Sequence, residues 1–148
     1  MKRDEWLLLY VAMPIDGETP ELDPVRIMKG MFLFTQEHPG LKRLYGFAPY
    51  QYGPFSTDIY RDLDSLVGRG DIRARRVQGY SWSLYSPTTA GSKKLPRLTK
   101  DAGAEAVEDL KEVKGLVCSL RFAELLREVY RRYPRYAAKT AVPHLKSQ

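Results

Sequence analysis

Tyr50–Gly91, YQYGPFSTDIYRDLDSLVGRGDIRARRVQGYSWSLYSPTTAG, decides how this chain folds. Gly53-Pro54 marks a tight turn in a stretch rich in aromatics. Ser56 or Thr57 is placed to cap a helix. Ile59, Leu63 and Leu66 fall at helical spacing on its buried face, and Gly68 and Gly70 bracket its end. Ile72–Val77 and Tyr80–Ser86 then read as paired strands joined at Gln78-Gly79, where glycine tolerates positive φ. In the second strand Trp82 and Leu84 share one face, and Ser83 and Tyr85 the other. Thr88 or Thr89 opens another short helix, which Pro96 interrupts. Turn, helix, two-stranded hairpin and helix, in that order, are the working half of a winged helix-turn-helix.

Outward from this stretch the chain is helical. Trp6–Met13 is apolar on every side, as in a helix covered all round. Asp23-Pro24 supplies an N-cap with proline at the first helical position, and the helix runs to Glu37 with Ile27, Met31 and Phe34 on one stripe. Asp101–Cys118 reads as a long amphipathic helix with Ala106, Leu110, Val113 and Val117 as its seam. Ser119 is placed to cap a last helix bearing Phe122, Leu125, Leu126, Val129 and Tyr133, ended by Pro134. The expected fold is therefore mainly α (α+β): one winged-helix domain over residues 1–140, with a two-stranded antiparallel wing, a C-terminal helical extension, and a flexible tail over 141–148.

The apolar share of 43% and charged share of 28% are those of an ordinary globular protein. The formal net charge is +6, so a phosphate backbone or an acidic protein face suits it as a partner. Cys118 is the lone cysteine, which excludes an internal disulfide and fits a reducing cytoplasm. Trp6–Pro14, the longest apolar run, is too short to span a bilayer and lacks a signal-peptide cleavage pattern. The basic charge is uneven. The helix from Ser56 to Arg69 sets Arg61 and Arg69 against Asp58, Asp62 and Asp64, whereas the hairpin carries Arg73, Arg75 and Arg76 and the next segment Lys93, Lys94, Arg97 and Lys100. Asp58 suits the helix dipole. Asp62 and Asp64 would oppose phosphate.

Three segments carry a family resemblance: DPVRIMKGMFLF, YQYGPFS with Tyr60 downstream, and SLRFAELLREVYRRYPRYAAKT. They resemble the Panacea (SocA-like) antitoxin domains and related prokaryotic winged-helix proteins, chiefly at Met28, Lys29, Tyr52, Gly53, Pro54 and Tyr60. YRDLDSLVGRGDI with its basic hairpin and YSPTTAG also resembles the PadR and MarR types of transcription regulator. The first resemblance implies neutralisation of a toxin by direct contact. The second implies a dimeric regulator with the helix before the wing in the DNA major groove.

Two functions follow as expectations. The first is a DNA-binding transcriptional regulator, a homodimer on double-stranded DNA. Ser56, Thr57 and Arg61 would approach base edges, and Arg73, Arg75, Arg76, Tyr80, Lys93 and Lys94 would grip the backbone. The second is a protein-binding antitoxin-like module using Tyr50, Tyr52 and Phe55. The apolar seams of the last two helices offer a dimer interface. His38 and His144 lie far apart in sequence, and there is no metal-ligand spacing, phosphate-binding glycine loop or nucleophile motif. No cofactor, metal or catalytic residue is expected, nor a membrane partner.

Overall fold

The computed structural model describes residues 1–142 and Leu145. Its class is α+β, with seven α-helices and two small antiparallel hairpins among those residues. Helix α1 (Arg3–Ala12) is the centre. Each residue from Trp6 to Met13 is buried, as the all-round apolar run requires. Such a helix leaves its last carbonyls without water. Lys114, from far along the chain, donates its ammonium to the carbonyls of Val11 at 3.0 Å and Met13 at 2.6 Å.

Helix α2 (Pro24–Glu37) begins as the sequence predicts, with Asp23 accepting the Arg26 N–H at 2.9 Å and proline in the first turn. It crosses α1 closely. The Tyr10 hydroxyl donates to the Arg26 carbonyl at 2.8 Å, and a Cβ on Gly30 would run into the Tyr10 ring. On its other side α2 packs Phe32 and Leu33 into a second core with Val117, Leu125, Leu126 and Val129.

Strands β1 (Ala48–Tyr50) and β2 (Gly53–Phe55) form the first hairpin, with Tyr50 opposite Gly53. The turn is therefore Gln51-Tyr52, not Gly53-Pro54. Gly53 has a different use. Its φ is +86°, and a Cβ there would sit 3.2 Å from Lys29 Cε. Helix α3 (Thr57–Gly68) follows and ends at the expected glycines.

Strands β3 (Ile72–Arg76) and β4 (Ser83–Pro87) pair antiparallel, from Ile72 opposite Pro87 to Arg76 opposite Ser83. Gln78-Gly79 does make a tight turn, closed by the Tyr80 N–H on the Val77 carbonyl at 3.0 Å, with Gly79 at φ +84°. The second strand starts later than predicted, at Ser83, and Tyr80 and Trp82 stack on each other outside the ladder, ring centroids 5.0 Å apart. Leu22, between α1 and α2, bridges the other edge of β4 through two 2.8 Å hydrogen bonds with Tyr85.

Thr88 caps α4 (Thr89–Lys93) through the Gly91 N–H at 3.0 Å, and α5 (Leu95–Ala102) follows with Pro96 in its first turn. Gly103, at φ +91°, ends α5, so the helix expected from Asp101 begins instead at Ala104 as α6 (Ala104–Ser119). Ser119 is the end of α6 rather than a cap; its hydroxyl donates back to the Leu116 carbonyl. Helix α7 (Phe122–Arg132) is opened by Glu124, which accepts the Arg121 N–H at 2.8 Å. A 3-10 turn, Pro134–Ala137, follows.

The seams of α6 and α7 are used within the chain. Both helices pack on α2, and Leu110, Val117, Leu125 and Val129 are fully buried. Phe122 leaves the predicted stripe and is exposed. Of the tail expected to be loose, Ala141 donates its N–H to the Gln51 carbonyl at 2.8 Å and Leu145 is buried in the second core. Residues 143, 144 and 146–148, with His144 among them, lie outside the described residues. No described helix is long and apolar enough to cross a membrane.

Candidate functional site

The residues expected to meet nucleic acid fall into two groups. Thr57, Arg61, Asp64 and Ser65 recur at helical spacing along the exposed side of α3, with Arg61 77% exposed and 3.3 Å from Asp58. Arg73 and Arg76 are exposed on β3, and Lys93 at the end of α4; no acid lies within ion-pair distance of any of the three among the described residues. The other group is engaged or hidden. Arg75 forks onto Glu21 through two 2.9 Å bonds, which hold the Glu21 carboxyl below its ordinary range. Lys94 lies 2.8 Å from the buried Asp71 carboxylate. Arg97 reaches Glu5 at 3.0 Å and Asp101 at 3.3 Å. Ser56 stands at the N-cap of α3, but its hydroxyl is buried with no hydrogen-bond partner and reaches no surface.

The acids of α3 are not the surface obstacle that their sequence suggests. Asp62 is 9% exposed and faces α1. Its carboxylate takes a bidentate pair from Arg3 at 2.8 and 3.0 Å, and the Tyr45 hydroxyl donates to it. Burial, reinforced by that hydrogen bond, raises the Tyr45 hydroxyl far above its usual range. Asp58 lies 3.4 Å from Arg3. Asp64 alone remains exposed.

The aromatic residues give a more built surface. Tyr50, Tyr52, Tyr80, Trp82 and Phe122 are all more than a third exposed, and apart from Met1 they are the only large apolar side chains so placed among the described residues. They come from three separate places in the chain: Tyr52, Trp82 and Phe122 meet over the start of α2, Tyr50 lies beside them, and Tyr80 stacks on Trp82. Tyr52 stacks edge-on against Phe122 at 5.4 Å, and Tyr50 packs on Phe55 at 5.1 Å. Phe55 packs in turn on Tyr60 at 5.7 Å.

Between these rings runs a groove of about 590 Å³, walled by Tyr52, Tyr60, Trp82 and Phe122 and floored by Pro24 and Val25. It adjoins a smaller hollow of about 190 Å³, which shares Pro24, Val25, Tyr52 and Tyr60 and adds Met28, Lys29, Tyr50 and Phe55. Thus Tyr50, Tyr52 and Phe55, expected as partner-binding, are brought together here. The positions behind the antitoxin resemblance converge on the same place: Met28, Lys29, Tyr52, Gly53 and Tyr60 line the hollow, and the Pro54 carbonyl accepts from Lys29 at 3.2 Å.

Trp82 and Phe122 are the members that sequence reasoning missed. Helical spacing put Phe122 with Leu125 and Val129, but as the first residue of α7 it projects past α2 toward Tyr52. The alternation of the sequence places Trp82 in the ladder, and only its nearness to the turn hints that it stands outside. Cys118 is half-buried, and burial raises its thiol above the ordinary value. His38 stacks on Phe34 and lies 3.1 Å from Asp109. Among the described residues no group of three or more His, Cys, Asp or Glu could hold a metal ion. The sequence matches no model of a known protein family and no curated protein.

Proposed function

We propose that this chain is a protein-binding module on a winged-helix frame, of the antitoxin type, that holds its partner through the aromatic groove. One observation carries the reading: exposed aromatic side chains from the β1–β2 turn, the β3–β4 loop and the start of α7 assemble around one continuous groove. A contiguous exposed apolar patch of this kind marks an interaction surface, and tyrosine and tryptophan are favoured in its centre. The frame is supported by element order. Helix α1, the Leu22 bridge to β4, helices α2 and α3, and the β3–β4 hairpin follow the winged-helix sequence of parts, with the β1–β2 hairpin inserted before α3. The resemblance to the Panacea-like group points the same way, because five of its positions line the hollow that adjoins the groove.

The test compares the wild-type chain with Tyr52→Ala/Trp82→Ala as baits in cells of the native host. A stoichiometric protein partner retained by the first and lost from the second is the expected result. A partner retained equally by both would overturn the reading.

A second reading, a DNA-binding regulator, is favoured by the exposed polar side of α3 and by Arg73, Arg76 and Lys93, exposed with no described acid at ion-pair distance. Its arginines are Arg73 and Arg76, since Arg75 is held by Glu21. Duplex DNA titrated at two salt concentrations checks it. Arg73→Glu/Arg76→Glu is expected to reduce the salt slope by about 2 if both meet phosphate. Binding that is unaffected by this change and by salt would remove the DNA reading.

A further inference from the structure

The smaller hollow contains a charge that the fold itself does not balance. Lys29 is 3% exposed, although it lies in the middle of an otherwise apolar helix face beside Met28 and Phe32. Its stem passes beneath Gly53, where a Cβ would stand 3.2 Å from Lys29 Cε and where φ is +86°. Its Nζ has one hydrogen-bond acceptor among the described residues, the Pro54 carbonyl at 3.2 Å. An ammonium carries three donors. No described carboxylate lies within ion-pair distance. Asp23 is the acid whose field reaches it, and that carboxylate is held by Arg26 at 2.7 Å. Burial accordingly pushes the Lys29 ammonium down to about 7.

An unpaired buried cation is expensive, and the usual remedy is a carboxylate with complementary hydrogen bonds. Here the remedy has a path of entry. Lys29 lines a hollow of about 190 Å³, enough for one side chain, which opens into the aromatic groove between Tyr52 and Tyr60. Arg26 and Asp23 both line the groove and pair with each other at 2.7 Å, so Lys29 is the uncompensated charge at this end.

We propose that the hollow receives an aspartate or glutamate side chain of the protein partner, whose carboxylate pairs with Lys29 while neighbouring apolar residues of the same segment lie on Tyr52, Trp82 and Phe122. The inference rests on the protein-binding reading and names the chemistry it selects. The partner segment is thus an acidic residue flanked by large apolar ones. Basic or neutral polar residues at the central position are disfavoured, because they give the Lys29 ammonium no counter-charge.

The test uses three synthetic peptides and the full chain: acetyl-Phe-Glu-Phe-amide, acetyl-Phe-Gln-Phe-amide, and acetyl-Phe-Gln-Phe with a free C-terminal carboxylate. Binding is read by NMR from the Met28 methyl group and the backbone amides of Tyr52 and Tyr60. The glutamate peptide is expected to bind about tenfold more tightly than its glutamine isostere, the scale of one charge-assisted hydrogen bond. Lys29→Met keeps the stem and removes the charge, and is expected to abolish the difference. The Lys29 Nζ titration in the wild-type chain, followed by NMR, gives a second measurement that needs no variant. Its midpoint is expected to rise when the glutamate peptide is bound and to stay in place with the glutamine peptide.

Equal affinities for the glutamate and glutamine peptides would overturn the carboxylate assignment while leaving the bait experiment, and with it the docking surface, standing. Tighter binding of the free-carboxylate peptide than of the glutamate peptide would also overturn it, by showing that the hollow takes a chain end. So would a preference that survives in Lys29→Met, or shifts confined to other parts of the molecule.

Discussion

At the scale of single residues, three charged groups illustrate how burial sorts structure from binding. Asp62 is a buried carboxylate whose partners, Arg3 and Tyr45, are supplied by the fold. Removing it strands Tyr45 and Arg3, and Asp62→Ala is expected to lose about 3 kcal/mol in urea unfolding; partial exposure of Arg3 places this at the low end for breaking such a pair. Lys114 is a buried cation whose partners are also supplied, by the end of α1. Lys29 has no such set. Its folded-state pKa of about 7 lies below the ordinary lysine value, so between these two values the unfolded chain holds the proton more tightly. Stability attributable to Lys29 therefore climbs as pH rises from about 7 toward the ordinary value near 10.5. Lys29→Met is expected to raise the melting temperature most at pH 6 and progressively less toward pH 10, measured against wild type so that Lys114 cancels. A gain independent of pH would mean that Lys29 binds its proton equally well in the folded and unfolded chains, and so is not depressed by burial.

At the scale of elements, close approaches decide which glycines matter. A Cβ on Gly91 would collide with the Asp71 backbone carbonyl, where α4 meets the start of β3. Backbone cannot swing aside as a side chain can, so Gly91→Ala is expected to cost about 2 kcal/mol or more. Gly115, inside α6, has open space around its would-be Cβ. Gly115→Ala is expected to add about 0.5–1 kcal/mol from helix propensity alone. Chemical denaturation of both variants makes the contrast, and similar effects at the two sites would contradict the packing described. Nothing local distinguishes Gly91 from Gly115 in the sequence, because Asp71 is not near Gly91 along the chain. The same reason explains what else was legible. Trp6–Met13, the Asp23 cap and the Gln78-Gly79 turn announce themselves through neighbours a few residues away. The Gln51-Tyr52 turn did not, since Gly53 is held by Lys29 and Tyr130 rather than by its own turn.

At the scale of the whole molecule, sequence reading found half the aromatic surface. Tyr50, Tyr52 and Phe55 are contiguous and stand out together. Trp82 and Phe122 reach the groove only through packing of β4 and α7 around α2, which no local pattern encodes. The same limit misjudged Asp62, which reads as an acid on an exposed helix until Arg3, at the other end of a long loop of chain, is brought to it.

Lys114 joins the end of α1 across 103 positions of sequence. During synthesis α1 therefore leaves the ribosome long before the helix that closes it has been made. An uncovered stretch as oily as Trp6–Met13 is a natural target for a chaperone, and aggregation rather than slow refolding is the hazard for a nascent chain stalled before α6.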